Sequence, residues 1–211
     1  MINLSEYCLP DLSLLDDDAI QTSIVWQPDK SYVVLGASNR PEDALYTERV
    51  MQDQLTVMKR PSGGQTVILT PGNLVIAAVF PHSLQPKNLF NEINASIIEA
   101  IEAAGIAGLS LRGISDIALG YKKILGSAMY RTRNKLLYHA VLNVGEPAAT
   151  FEKYLRHPGK EPDYREGRKH SDFVTSLREQ GYTGSMESLI EYIIRYLRPA
   201  QNQAASYPNS L

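Results

Sequence analysis

Residues 59–73 read KRPSGGQTVILTPGN, and the rest of the chain is read outward from them. Two cations, Lys59 and Arg60, precede a Pro-Ser-Gly-Gly turn; an apolar run at 67–69 leads to a second turn at 70–73. Gly63 and Gly64 permit positive φ, and their missing side chains let a ligand reach backbone N–H groups. Arg60 beside such a turn can offer charge to a carboxylate or phosphate. The plainer reading is a β-hairpin with an exposed basic residue. The stretch alone favours that reading, because Gly-Gly turns are common. It is not a P-loop, since no Gly-Lys-Ser/Thr closes the spacing.

On the N-terminal side, residues 1–20 have no clean period and Pro10 interrupts them, which predicts an irregular or short helical arm. Strands are expected at 23–26 and 32–35, joined by the turn 27–30, and a loop of small and polar residues from Gly36 to Pro41 follows. Leu45, Val50 and Met51 could share one face of a helix over 43–54. Residues 55–59 read as a strand entering the Gly turn. On the C-terminal side, 67–69 and 74–80 are expected strands. The run LVIAAVF is apolar on both faces, as a central strand would be.

Leu89, Ile93, Ile97, Ala100, Ile101 and Ala104 predict a helix over 88–104, stopped at Gly105. Residues 109–111 form a possible short strand. Strands 116–119 and 122–130 flank Gly120 and Tyr121 as a hairpin, and 136–144 follows a basic turn. Residues 147–155 are expected to be helical and 158–170 to be a charged loop. Ser171 is placed at the start of a helix running to about 179, and Ser185 at the start of one running to 197. Strands in the middle flanked by helices predict an α+β fold, a mixed or antiparallel sheet covered by helices. One domain is expected over 1–198, with 199–211 a flexible tail.

The chain has 211 residues, enough for a real core in one domain. Its 21 basic and 23 acidic residues give a net charge of −2. That balance makes no case for nucleic-acid or membrane-surface binding. No apolar run would span a bilayer. The N-terminus lacks a basic region and carries Asp16, Asp17 and Asp18, so a signal peptide is not expected. Cys8 is the single cysteine, which excludes an intrachain disulfide and a cysteine metal cluster. A cytoplasmic location is the expectation.

Residues 122–128 read KKILGSA. In a regular strand the two lysines point to opposite faces, one with Ile124, Gly126 and Ala128, the other with Leu125, Ser127 and Met129. If both faces are packed, one ammonium turns inward and needs an anion, either Asp116 across the hairpin or a ligand. An edge strand with both lysines in water fits the spacing equally. Gly126 and Ser127 tilt towards the first reading by leaving space beside the strand.

RPSGGQTVILTPGN, SDIALGYKKILGSA and YHAVLNV, in that order, resemble the lipoate–protein ligase and octanoyltransferase family, which shares its catalytic fold with biotin–protein ligases. The family's Gly-rich motif matches Arg60, Gly63, Gly64, Val67, Gly72 and Asn73. Its lysine motif matches Lys123, Ile124, Gly126, Ser127 and Ala128. Gly113 and Asp116 match the segment ahead of that lysine, and His139 and Leu142 a later one; the loop starting at Gly36 looks like the family's strand-end loop beside the acyl pocket. The chain departs from the family at Gln65 and Thr66, where the motif has Gly-Ala, at Thr70 and Pro71, where it has His-Asp, and at Ile114 and Ser115, where it has Arg-Asn. Neither region where octanoyltransferases carry a nucleophilic cysteine has one here.

The resemblance implies a ligase that joins lipoate or octanoate to a lysine of a lipoyl-carrier domain through an acyl-adenylate, using ATP and Mg²⁺. Lys123 would be the catalytic residue. Arg60, Ser62, Gly63, Gly64, Asn73, Asp116, Gly126, Ser127, Ala128, His139 and Gly36 would bind substrate or adenylate, with Asp116 a possible metal ligand. His139 in such a position is more often a satisfied core histidine than a general base. The acyl tail is expected along Val75 and Ala77. Many ligases of the family use a C-terminal accessory domain in adenylation, for which this chain has no room, and a separate accessory subunit is a possible partner. The alternatives are a carrier-to-carrier acyl transferase without ATP and a non-catalytic lipoate- or biotin-binding homologue.

Overall fold

The computed structural model describes residues 2–16, 22–82 and 84–205, with side chains of the last helix described to 197. The first half carries β1 (Leu4–Ser5), a 3-10 turn (Pro10–Leu15), β2 (Ser23–Trp26), β3 (Tyr32–Leu35), α1 (Pro41–Ala44), α2 (Thr47–Gln52), β4 (Thr56–Lys59), β5 (Val67–Leu69) and β6 (Asn73–Pro81). After α3 (Pro86–Ala103) come β7 (Leu109–Arg112), β8 (Asp116–Leu119), β9 (Lys122–Arg131), β10 (Lys135–Asn143), α4 (Ala148–Tyr154), α5 (His170–Phe173) and α6 (Met186–Ala205).

The strands divide into two sheets. The larger has the order β2-β6-β10-β9-β8-β7 and is antiparallel throughout; the smaller, β1-β4-β3-β5, is mixed. β6 is central, as its two apolar faces require. Leu74, Ile76 and Ala78 face α3 and α6, packing with Ile93, Ile97, Leu189 and Ile193. Val75 faces the smaller sheet, with Val34, Met58 and Leu69. Pro86 sits in the first turn of α3, where its missing N–H costs nothing, and Gly105 (φ 101°) turns the chain out of it. Ser185 caps α6, its Oγ accepting the Ser188 N–H. Among the described residues no helix is long and apolar enough to cross a membrane.

Several boundaries differ from those read in the sequence. The expected helix over 43–54 is two short helices. Between them Leu45 is fully buried in an antiparallel bridge to Leu155, with Tyr46 N–H on the Tyr154 carbonyl at 2.9 Å, and this pairing overrides helix continuity. The helix expected to run from Ser171 to 179 ends at Phe173. Beyond it Val174 bridges Lys123, and Thr175 N–H donates to the Lys123 carbonyl at 3.0 Å. The last helix runs past 197 to Ala205, through part of the expected tail; residues 206–211 lie outside the described residues, as do Asp17 and Asp18. The Gly turn does not form a hairpin: β4 and β5 both pair with β3, which lies between them.

Candidate active site

β9 places the lysines, and a bulge decides which one turns inward. β8 and β9 pair regularly from Asp116↔Gly126 to Ile117↔Leu125. The register then slips, so that Ala118 pairs with Lys123 and Ile124 is the extra residue. Ile124 and Leu125 are both buried in the helix-side core. The extra residue shifts the alternation, and Lys123 thereby shares a face with Gly126 instead of with Leu125. Period-two alternation would put Lys123 and Gly126 on opposite faces, and the bulge overturns it. Lys122 is exposed. The Lys123 Nζ lies 2.8 Å from Asp116 Oδ1, with 29% of its side chain accessible. A Cβ on Gly126 would lie 2.6 Å from that Nζ, so only glycine lets the lysine cross the strand there.

The loop after β4 faces the same strand. A Cβ built on Gly64 would sit 4.0 Å from the Ala128 Cβ, and Ala128 pairs with His139 on β10. Arg60, which the plainer hairpin reading would expose, is buried and holds the loop from inside. Its Nη2 donates to the Gly63 and Gln65 carbonyls, both at 2.8 Å, its Nη1 to the Val34 carbonyl at 3.2 Å, and its Nε to Ser62 Oγ at 2.9 Å. Burial lowers its pKa to about 10, which leaves it a cation at neutral pH. Gly36 is required by the same loop, because a Cβ there would stand 2.0 Å from the Gly64 carbonyl oxygen. The departures from the family motif are tied in as well. Thr66 Oγ1 donates to Asn39 Oδ1 at 2.9 Å, and Gln65 Nε2 to the Lys160 carbonyl at 2.9 Å.

The remaining candidates fall into two groups. Ser127 Oγ donates to the Ser115 carbonyl at 2.7 Å and fixes the turn ahead of Asp116 beside Lys123. Asn73 is fully buried: its Oδ1 accepts the Thr70 N–H at 2.9 Å and its Nδ2 donates to Asn143 Oδ1 at 3.3 Å. It closes the second turn. His139 is buried with both ring nitrogens engaged, Nε2 on Ser62 Oγ at 2.6 Å and Nδ1 on Asp11 Oδ2 at 3.0 Å. Val75 and Ala77 are covered by Leu9 and Leu14, so an acyl tail cannot lie along them as expected without displacing those side chains.

Sequence reasoning missed Asp11, Tyr7, Tyr164 and two arginines. The Tyr164 hydroxyl donates to Asp116 Oδ2 at 2.8 Å, from inside the charged loop, and burial with the Asp116 charge raises its pKa. Arg112 Nε and Arg165 Nη2 are buried donor atoms without a hydrogen-bond partner. Arg165 and Lys123 both act on His170, whose pKa falls to about 4, chiefly through burial. Around Asp116 and Tyr164 the cations are Lys123, which pairs with Asp116, and Arg168 and Arg112, which act on Tyr164. Among the described residues no group of three or more His, Cys, Asp or Glu could hold a metal ion. Asp116 has both oxygens engaged, so these residues do not by themselves fit a resident Mg²⁺.

The site is thus a lysine presented across a glycine of an antiparallel sheet, on the strand face that meets a Gly loop borne by a second, small sheet. The model of the family described as Lipoyl protein ligase A/B catalytic domain matches residues 2–198, and the chain belongs to that family. It is similar to the lipoate-protein ligase LplJ of Bacillus subtilis, at 25% identity over 67% of this chain and 41% of that protein. The chain spans less than half the length of the curated relatives it matches. In fold it is similar to a lipoate-protein ligase A bound with ATP, with a TM-score of 0.75 and 17% identity, over 91% of this chain and 78% of that one. It is also similar to a structure from a Thermoplasma acidophilum system described as a bipartite lipoate protein ligase and its E2 lipoyl domain, with a TM-score of 0.74 and 16% identity, over 85% of this chain and 71% of that one.

Proposed function

We propose that this chain is the catalytic domain of a lipoate- or octanoate-protein ligase, acting on the ε-amine of a lysine in a lipoyl-carrier domain in the cytoplasm. A carboxylate is a poor acyl donor because its leaving group is oxide. Attack of the carboxylate on the α-phosphorus of ATP releases pyrophosphate and gives a mixed anhydride. The carrier amine then attacks the acyl carbon, AMP leaves, and the amine's proton is lost to solvent. Lys123 holds the carbonyl and phosphate oxygens and stabilises the charge that develops on them. Asp116 and Tyr164 fix its position. Backbone N–H groups of Gly63 and Gly64 hold the acyl end, and Arg112 and Arg165 offer donors to the phosphates. The observation carrying this reading is Lys123 brought by the β9 bulge onto the face of Gly126.

The domain corresponding to the rest of the longer relatives, in this chain's own protein or in a separate subunit, completes adenylation. The test is pyrophosphate release with lipoate, octanoate and biotin, followed by mass spectrometry of a carrier domain. ATP-dependent acylation with pyrophosphate release is expected. Acylation from an acyl-carrier donor without ATP would establish a transferase instead, and tight acid binding with no turnover would make the chain a binding homologue.

A further inference from the structure

A chain of hydrogen bonds runs from the N-terminal segment to the Gly loop. The Tyr7 hydroxyl donates to Asp11, 2.9 and 2.8 Å from its two oxygens. Asp11 Oδ2 lies 3.0 Å from His139 Nδ1, and His139 Nε2 lies 2.6 Å from Ser62 Oγ. A carboxylate at Nδ1 assigns the proton to that nitrogen, so Nε2 accepts the Ser62 hydroxyl. Asp11, Ser62 and His139 are all buried. The order Asp-His-Ser is that of a nucleophilic triad. Two observations argue against nucleophilic use. Ser62 has almost no accessible surface, and its Oγ already accepts the Arg60 Nε–H at 2.9 Å. The chain therefore ends on the group that holds the loop, since Arg60 grips the Gly63 and Gln65 carbonyls. It also carries opposite buried charges at its two ends. Asp11 and Arg60 act on each other electrostatically, and a buried cation without an anion would be costly.

We propose that Asp11, seconded by Tyr7, is a positioning residue for the acyl site, acting through His139, Ser62 and Arg60 to fix the Gly63–Gly64 backbone. The N-terminal segment is then part of the site although it touches no reacting atom. The inference rests on the ligase reading, but its first readout does not.

Amide hydrogen exchange at Ala37 and Arg60, whose N–H groups tie the loop down by donating to the Ser62 and Leu35 carbonyls at 2.9 and 3.0 Å, is compared in the substrate-free wild type, Asp11→Asn, Tyr7→Phe and, as a control, Asp53→Asn, whose carboxylate pairs with Lys153 at the surface. Asp11→Asn is expected to speed exchange at the loop by about tenfold or more and to raise the KM for the acyl acid about tenfold, with kcat changed by less than about threefold. Asp11→Glu should recover part of both losses. Tyr7→Phe keeps the carboxylate and should show the same pattern, weaker, even if Asp11→Asn does not fold. The control should match the wild type. Wild-type loop exchange in both folded variants would overturn the proposal. So would faster exchange spread evenly over the chain, which would assign Asp11 to general stability. A wild type inactive with every acid refutes the ligase reading, and the exchange data still decide the positioning role.

Discussion

At the scale of single residues, Lys123 and Lys122 are adjacent in sequence and differ in everything that matters chemically. One pairs with Asp116 across a glycine; the other stands in water. Lys123→Ala is expected to leave the circular-dichroism spectrum unchanged and to lower the acyl-transfer rate at least 10²–10³-fold, roughly the cost of losing one preorganised donor to a developing oxyanion. Lys122→Ala should stay within about twofold of the wild type, as surface changes away from such features do. Near-normal turnover by the first variant would remove Lys123 from the mechanism, and an equal loss in the second would reverse their roles. Arg60 teaches a different lesson. Its place beside a Gly-Gly turn suggested a ligand contact, yet its donors go to main-chain carbonyls and to Ser62. A guanidinium is planar and many-handed, and a loop of unpaired carbonyls occupies it as well as a phosphate does.

At the scale of elements, two glycines hold the site by what they lack. Gly126→Ala would put a methyl group 2.6 Å from the Lys123 Nζ position. The lysine end is flexible and can move, so acyl transfer should fall about as far as in Lys123→Ala while the melting temperature changes little. Gly36→Ala meets main chain instead, 2.0 Å from the Gly64 carbonyl oxygen. There the Gly loop must shift, at a cost of about 1–3 kcal/mol in urea unfolding. A Gly126→Ala enzyme as active as the wild type would show that Lys123 does not work from its position across the strand. These elements were legible: β6 from its double apolar face, the β8–β9 hairpin from Gly120 and Tyr121, and the helix α3 from its helical spacing. The β9 bulge was not. It leaves no mark in KKILGSA, because it arises where a neighbouring strand and Val174 pair with the same stretch. Leu45 escaped for a similar reason: its bridge to Leu155 is a contact between distant segments that helical periodicity cannot foresee.

At the scale of the whole molecule, the question is whether the chain acts through a covalent acyl intermediate. Cys8 is free and exposed, and it is followed by the 3-10 turn that carries Asp11. A thioester route needs a thiolate with a cation beside it. No ion pair or hydrogen bond ties Cys8 to Lys123 or Arg60 among the described residues, and Glu6 and Asp11 are its nearest charges in sequence. Cys8→Ala is expected to keep full transfer from acyl-adenylate to a carrier domain. Mass spectrometry of the wild type should find no hydroxylamine-sensitive adduct. An adduct on Cys8 together with an inactive variant would place the chain with the cysteine transferases.

The sequence by itself determined the family, the α+β class, the central strand and the Gly-loop and lysine motifs, because each of these is written in local pattern: periodicity, turn residues, short spacings. The tertiary structure alone decided the division into two sheets, the inward turn of Lys123, the grip of Arg60 on the Gly-loop carbonyls, and the hydrogen bonds that link Tyr7 and Asp11 of the N-terminal segment to that loop. Those outcomes depend on which distant groups meet in a space closed to water. There an unpaired carbonyl, carboxylate or guanidinium is too costly to leave alone, and the partner it finds is set by the fold and not by its neighbours in the chain.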